Sequence, residues 1–300
     1  MNEAGHRCGY VAVVGRPNVG KSTLVNALVG AKVSIVSRRA QTTRHRITGV
    51  ASTADAQLLF LDTPGLHSGR SRALNRAMNR AAVSALADAD VVAIVVEAGR
   101  WGDGDDQVLE AAVTAGRPLV LVVNKVDRVW PRDRLLPYIA DVSGKADFRE
   151  IIPVSATGGD NLDRLRDVLA RAMPEGPPLF PPEQISDRDE AFHAAEIIRE
   201  KLMRRLHEEL PYGLTVEVDR LQRDAEGRIA IDAVVWVEKE RHKAIVIGAR
   251  GEMLKNVGRA ARLELKERFG APVHLTLWVK VREGWADSEA DLKRFGYYSE

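Results

Sequence analysis

The sequence predicts an α/β domain, with a mostly parallel sheet and helices on both faces, followed by a smaller α+β domain. Three observations carry that expectation. Short β-rich runs alternate with helical stretches through roughly the first 170 residues, the pattern of a parallel sheet covered on both sides. Five prolines then crowd into residues 173–184. Beyond them the order changes to a helix, two alternating strands, a helical pair and a third alternating strand.

The strand candidates of the first domain are residues 10–14, 58–61, 91–96, 119–123 and 151–154. Between them, segments such as 22–29 and 106–115 carry apolar residues at helical spacing. Residues 45–50 reach the next strand with no helix in between, so they read as an antiparallel edge strand. Pro174, Pro177, Pro178, Pro181 and Pro182 fix φ and remove donors, so neither helix nor central strand runs through them. Their segment reads as a stiff linker between a first domain at 1–172 and a second at 185–300. In the second domain 189–209 reads as helix, 215–221, 229–237 and 273–281 as half-buried strands, and a short helix closes the chain.

Composition bounds the answer further. The chain has 300 residues, 45% of them apolar, enough for two packed cores. Its formal net charge is only +2, so any basic surface is local. The single cysteine, Cys8, excludes an internal disulfide, fits a reducing cytosol, and reads as a bystander thiol near a mobile terminus. Residues 1–10 are polar, with no apolar stretch to serve as a signal peptide. The longest apolar runs fall far short of the roughly 20 residues that span a bilayer, which excludes spanning but not peripheral association.

Gly15-Arg16-Pro17-Asn18-Val19-Gly20-Lys21-Ser22 matches the phosphate-loop pattern, and it follows a predicted strand and opens a predicted helix. Its glycines let backbone N–H groups curl around phosphate oxygens at a helix N-terminus. Lys21 is placed for the β- and γ-phosphates, and the Ser22 hydroxyl for Mg²⁺. Asn124-Lys125-Val126-Asp127 ends another strand at its C-terminal edge, where open α/β sheets bind nucleotides. One carboxylate, Asp127, can accept both adjacent donors of guanine, and adenine would leave it badly unpaired once buried. Lys125 is expected to pack its stem along the base, Asn124 to tie this loop to the phosphate loop, and Ser155 and Ala156 to complete the pocket through backbone N–H groups.

Asp62-Thr63-Pro64-Gly65 ends the strand at 58–61. Asp62 is placed to hold Mg²⁺ through water, and Gly65 to turn its N–H toward a γ-phosphate. Residues 37–46 are polar, basic and aperiodic, either a solvated loop or one ordered by γ-phosphate and metal. A threonine there completes the metal shell, Thr43 ahead of Thr42. Leu66 stands where Ras-like switches carry a water-orienting glutamine, so slow intrinsic hydrolysis is expected. Asn18 either helps hold a monovalent cation such as K⁺ or stabilises the loop by its own hydrogen bonds.

In the second domain Gly248-Ala249-Arg250-Gly251 lies between two predicted helices. Two glycines let such a turn approach a nucleic-acid backbone, and the next helix N-terminus favours phosphate. From Lys239 to Arg282 there are eleven Lys or Arg against four Asp or Glu, the local basic patch that the whole-chain charge hides. Trp236, Trp278 and Trp285 read first as core, with base stacking as the alternative. His242 and His274 read as patch or surface residues rather than metal ligands.

Together these residues resemble the Era family of bacterial GTPases over nearly the whole chain. The resemblance rests on the phosphate loop, the QTTRHR run from Gln41 to Arg46, DTPGLH from Asp62 to His67, the NKVD motif, Val154-Ser155-Ala156, the IGxxG segment, and the spacing of Trp285 to Tyr297. It implies a P-loop GTPase domain followed by a type II KH domain. It implies GTP and GDP contacts from Gly15 through Thr23, from Asp62, Thr63, Pro64 and Gly65, from Asn124, Lys125 and Asp127, and from Ser155 and Ala156. Lys21, Thr43, Gly65 and Asn18 then serve hydrolysis, and Ser22, Thr43 and Asp62 hold Mg²⁺. It implies binding near the 3′ end of small-subunit ribosomal RNA through Gly248, Ala249, Arg250 and Gly251, to which the basic patch adds Lys243, Lys255 and Arg259 as candidate RNA contacts. It further implies a role in RNA maturation and small-subunit assembly, with GTP state gating the RNA site, by a cytoplasmic monomer partly at the inner membrane face. Two other readings remain open. A P-loop kinase or ATPase is opposed by Asp127, and a membrane-associated structural GTPase would turn the basic segment toward anionic lipid.

Overall fold

The computed structural model describes residues 5–37, 39, 41–65, 72–206 and 210–298. It divides into two compact units, one spanning residues 1–68 and 78–187, the other 69–77 and 188–300.

The first unit is built on a six-stranded sheet. Its strands are β1 (Arg7–Val14), β2 (Ile47–Ser52), β3 (Ala56–Asp62), β4 (Val91–Glu97), β5 (Leu119–Asn124) and β6 (Phe148–Pro153). Their order is β2-β3-β1-β4-β5-β6, and every pairing is parallel except β2 with β3. Three residues separate β2 from β3, too few for a crossover, so the pair forms a hairpin. The helices are α1 (Lys21–Val29), α2 (Ala73–Asp88, of which residues 78–88 belong to this unit), α3 (Asp103–Thr114), α4 (Leu135–Ser143) and α5 (Leu162–Ala172).

Side-chain alternation along the strands feeds two cores. Val11, Val13, Ala93, Val95, Val120 and Val122 pack on Leu24, Val25 and Leu28 of α1 and Leu165, Val168 and Leu169 of α5. Ala12, Val14, Val92, Ile94, Leu121 and Val123 pack on the opposite face with Leu86, Val108, Leu109, Ala112 and Val142. Burial on both faces is why these strands read as continuous apolar runs.

Two expectations are corrected here. The proline-rich segment is not free of the first unit, which continues to Asp187 rather than ending at 172. Its backbone is tied along the strand edges: Cys8 N–H donates to Pro174 O (3.1 Å), Gly176 N–H to His6 O (2.9 Å) and Val50 N–H to Ile185 O (2.9 Å). The buried Gln57 amide accepts from the Leu179 and Phe180 N–H groups (2.8 and 2.9 Å) and donates back to Phe180 O (2.8 Å). Cys8 is no mobile-terminus thiol either. It is buried in β1, near the Gln57 carbonyl, and burial raises its pKa.

The second unit carries α6 (Glu190–Arg205), β7 (Leu214–Arg223), β8 (Ile229–Val237), α7 (Glu240–Ile247), α8 (Glu252–Phe269), β9 (Val273–Val281) and α9 (Glu289–Arg294). The predicted helix end at 209 lies outside the described residues. The sheet order is β7-β8-β9, with β8 antiparallel to β7 and parallel to β9. Ile229, Ile231, Ala233, Val235 and Val237 face one core with Ile197, Ile198 and Leu202 of α6 and Val257, Ala261 and Leu265 of α8. Trp285 is buried, donates to Gly213 O (3.3 Å), and lies against Phe295 and Tyr297. Trp236 is half-buried, bonded to Glu217 (2.8 Å) with Arg294 over its ring. Trp278 departs from the core reading. It is 45% exposed, because it sits on edge strand β9 on the face turned away from the helices. No described helix is long and apolar enough to cross a membrane.

Candidate functional site

The motif residues of the first unit converge at the C-terminal ends of β1, β3, β5 and β6, where the chain direction around β1 opens a crevice. Between β1 and α1 the backbone takes left-handed φ at Asn18 (67°) and φ 103° at Gly20. A Cβ on Gly20 would lie 2.4 Å from Asn124 Nδ2, so the position excludes any side chain. Lys21 opens α1 and is buried. Its ammonium donates across the loop to Gly15 O (2.8 Å) and Arg16 O (3.1 Å). Burial lowers its pKa to about 8, and the nearby Asp62 charge resists that fall.

Asp62 closes β3 and is fully buried, with neither carboxylate oxygen in a hydrogen bond of good geometry. Burial raises its pKa, against the pull of the nearby Ser34, Ser22 and Thr43 hydroxyls and of Lys21. The Ser22 and Thr43 hydroxyls bond one another at 2.8 Å. A carboxylate left so poorly paired in the interior is costly unless a cation completes it. The three oxygens suit a hard divalent ion that keeps part of its water shell, which is the chemistry of Mg²⁺. Thr42 instead bonds Ser37 (2.6 Å) and Arg39 O (2.7 Å), so Thr43 is the threonine at this site. Thr43, Arg44 and His45 are buried, so this part of the stretch is not a solvated loop. Arg38 of the same stretch, and Leu66 and His67, lie outside the described residues.

Thr63 donates to Val13 O (3.3 Å), Pro64 is buried, and Gly65 faces Pro17, 3.4 Å from where its Cβ would stand. Thr23 is half-buried on α1. The Asn18 side chain is exposed and makes no hydrogen bond among the described residues, while its backbone carbonyl accepts from Lys125.

Asn124 Nδ2 donates to Val19 O (2.9 Å), and its Oδ1 accepts from Lys125 N–H (2.8 Å) and Ala156 N–H (3.1 Å). Lys125 runs from its loop to the phosphate loop, its ammonium on Asn18 O (2.6 Å) and Glu97 (3.0 Å). Ser155 Oγ donates to Asp127 (2.6 Å), and Asp127 is otherwise exposed. The N–H groups of Ser155 and Ala156 are engaged by Asp160 O (3.2 Å) and Asn124. The pair therefore orients Asn124 and Asp127 rather than offering free donors.

Three supporting residues escaped sequence reasoning. Asp105, buried on α3, holds Arg16 at 2.9 Å. Glu97 holds Lys125, and Ser34 lines the Asp62 site. Only Glu97 carried a signal, its place at the C-terminal edge of a parallel strand.

In the second unit Gly248 (φ 73°), Arg250 (φ 52°) and Gly251 (φ 79°) make the turn between α7 and α8. A Cβ on Gly248 would meet Met253 Cβ at 2.6 Å. Ala249 and Arg250 are exposed at its tip, Lys255 and Arg259 are exposed on α8, and Lys243 is half-buried on α7. His274 is exposed and His242 half-buried.

A family model described as 50S ribosome-binding GTPase matches residues 10–125, and a KH domain model matches residues 209–286. The chain is 53% identical to GTPase Era of Stenotrophomonas maltophilia over 293 residues, 97% of this chain and 98% of the relative. It is 48% identical to GTPase Era of Histophilus somni over the whole of both chains. Two solved structures superpose on 98% of this chain and 100% of their own, each at 39% identity. One is a substituted Era of Aquifex aeolicus bound to GDP·AlF4⁻ (TM-score 0.93). The other is Era in complex with MgGDPNP and nucleotides 1506–1542 of 16S ribosomal RNA (TM-score 0.94).

Proposed function

The chain belongs to the Era family of GTPases and hydrolyses GTP, and on that footing we propose that it is a GTP-gated binder of small-subunit ribosomal RNA. It binds that RNA near its 3′ end and acts in RNA maturation and small-subunit assembly. The observation that carries the reading is the pairing, in one chain, of a buried and poorly paired Asp62 beside Ser22 and Thr43 with a glycine-bounded basic turn at Gly248–Gly251. The relative that holds both MgGDPNP and a 16S ribosomal RNA fragment supports it.

In this reading the loop from Gly15 to Thr23 cradles the phosphates of GTP or GDP. Asp127 reads guanine, steadied by Ser155 Oγ. Ser22, Thr43 and Asp62 would hold Mg²⁺, and the ion would supply charge neutralisation at the phosphates. Lys21 leaves its carbonyl partners for phosphate oxygens, and Gly65 turns its N–H to the γ-phosphate. Asn18, exposed at the loop tip, helps hold K⁺. Faster GTP turnover in potassium than in sodium buffer checks that role, and equal rates remove it. Leu66 cannot orient water, so intrinsic hydrolysis is slow. The GTP state sets the affinity of the RNA site formed by Gly248, Ala249, Arg250, Gly251, Lys243, Lys255 and Arg259. The protein works as a cytoplasmic monomer with peripheral attachment to the inner face of the membrane.

Arg250→Glu tests the RNA assignment. Affinity for single-stranded RNA from the small-subunit 3′ end falls by roughly tenfold or more, since a cation at the phosphate contact becomes an anion. GDP affinity stays unchanged. RNA affinity that survives the substitution would move the site away from this turn.

A further inference from the structure

We propose that residues 128–137 of the first unit form the surface by which this protein docks on an anionic lipid bilayer. The proposal rests on the peripheral membrane attachment proposed above and gives it a location. The segment leaves the guanine-reading motif at Arg128, makes a single turn over Arg132–Arg134, and enters α4. Along it Trp130 is 81% exposed and Leu136 73% exposed, with Pro131 and Pro137 exposed beside them.

This exposure is held in place from below. Val129, Leu135 and Tyr138 pack against the core under β4 and β5, and Val142 is buried in it. The Tyr138 hydroxyl lies 3.2 Å from both Glu97 O and Arg100 O. The same helical turn that half-buries Leu135 and Tyr138 turns Leu136 and Pro137 outward. Single exposed apolar residues are ordinary on a protein surface. A tryptophan and a leucine presented within seven residues, on a pinned turn, are an apolar tip.

Charge around the tip selects the partner. Arg128, Arg132 and Arg134 are exposed, and none makes an ion pair among the described residues. Only Asp133 opposes them in the segment. Tryptophan favours the headgroup level of a bilayer, aliphatic side chains enter just below it, and arginines reach anionic headgroups from extended stems. Nucleic acid also attracts arginine and stacks on tryptophan, but its faces bury Leu136, Pro131 and Pro137 less completely than acyl chains do. The aliphatic content therefore favours lipid. A tip of this size gives weak, salt-sensitive and reversible attachment.

The test is flotation of the full chain, bound to GDP, with phosphatidylcholine vesicles that contain or lack phosphatidylglycerol. The wild-type protein floats with the anionic vesicles only, and high salt releases it. A Trp130→Ser/Leu136→Ser variant loses at least about tenfold in vesicle affinity while retaining GDP. A Val83→Ser control, at a site 56% exposed on α2, floats like wild type. If the double variant floats as well as wild type, the membrane reading stands and this location is wrong. If wild type does not float, both are wrong. If the double variant instead loses affinity for small-subunit RNA and keeps its vesicle binding, the tip is an RNA surface and the proposal is overturned.

Discussion

Lys21 spends its charge on backbone carbonyls at 2.8 and 3.1 Å inside a buried loop, and burial brings its pKa to about 8 from 10.5. Between those values the unfolded chain still holds the proton that the folded one has lost. Stability therefore rises with pH across that window, and below about 8 the desolvation cost is constant. Phosphate binds the protonated form. GDP affinity is expected to fall as pH rises through about 8, with a proton taken up on binding. Calorimetry in two buffers of different ionisation enthalpy measures that uptake, and pH-independent affinity between about 7 and about 9 would contradict it. Asp62, Lys21, Ser22 and Asp127 were legible because a motif places them on a known turn at a strand end. Asp105 and Ser34 were not, since they reach the site through space from a helix face and an irregular segment.

At the scale of elements, the turn between α7 and α8 depends on backbone that only glycine adopts freely, yet its tip residue Arg250 is also left-handed at φ 52°. Left-handed geometry costs a side-chain-bearing residue roughly 1–2 kcal/mol, and glycine's extra chain entropy returns roughly 0.5–1 kcal/mol of that. Arg250→Gly is therefore expected to stabilise the protein by roughly 0.5 kcal/mol while weakening RNA binding. Urea denaturation paired with an RNA titration separates the two effects. A variant that lost both stability and RNA affinity would make the arginine structural. The central strands were legible because burial on both faces makes them unbroken apolar runs. Their ends were less so: β6 begins at Phe148, ahead of the apolar signal at Ile151, and β2 is shifted to Ile47–Ser52, because ladder pairing and not composition ends a strand. The proline-rich segment misled for a related reason. Proline excludes helix and central strand, but it does not prevent carbonyls and the remaining N–H groups from pairing along a sheet edge.

For the whole molecule, a net charge of +2 conceals a strongly basic segment in the second unit, and the function proposed here lies in that uneven distribution. One unit carries a phosphate loop beside a buried, poorly paired carboxylate, and the other carries an exposed arginine on a glycine-bounded turn, which the proposed function assigns to metal and to RNA. The central claim is that nucleotide state in the first sets RNA affinity in the second. The most direct measurement is a titration of the full chain with single-stranded RNA from the small-subunit 3′ end. It is run at fixed salt with Mg²⁺, once with a non-hydrolysable GTP analogue and once with GDP. The account predicts tighter binding in the GTP-analogue state by at least about fivefold, the lower end of typical coupling. Equal affinity in the two states would contradict it.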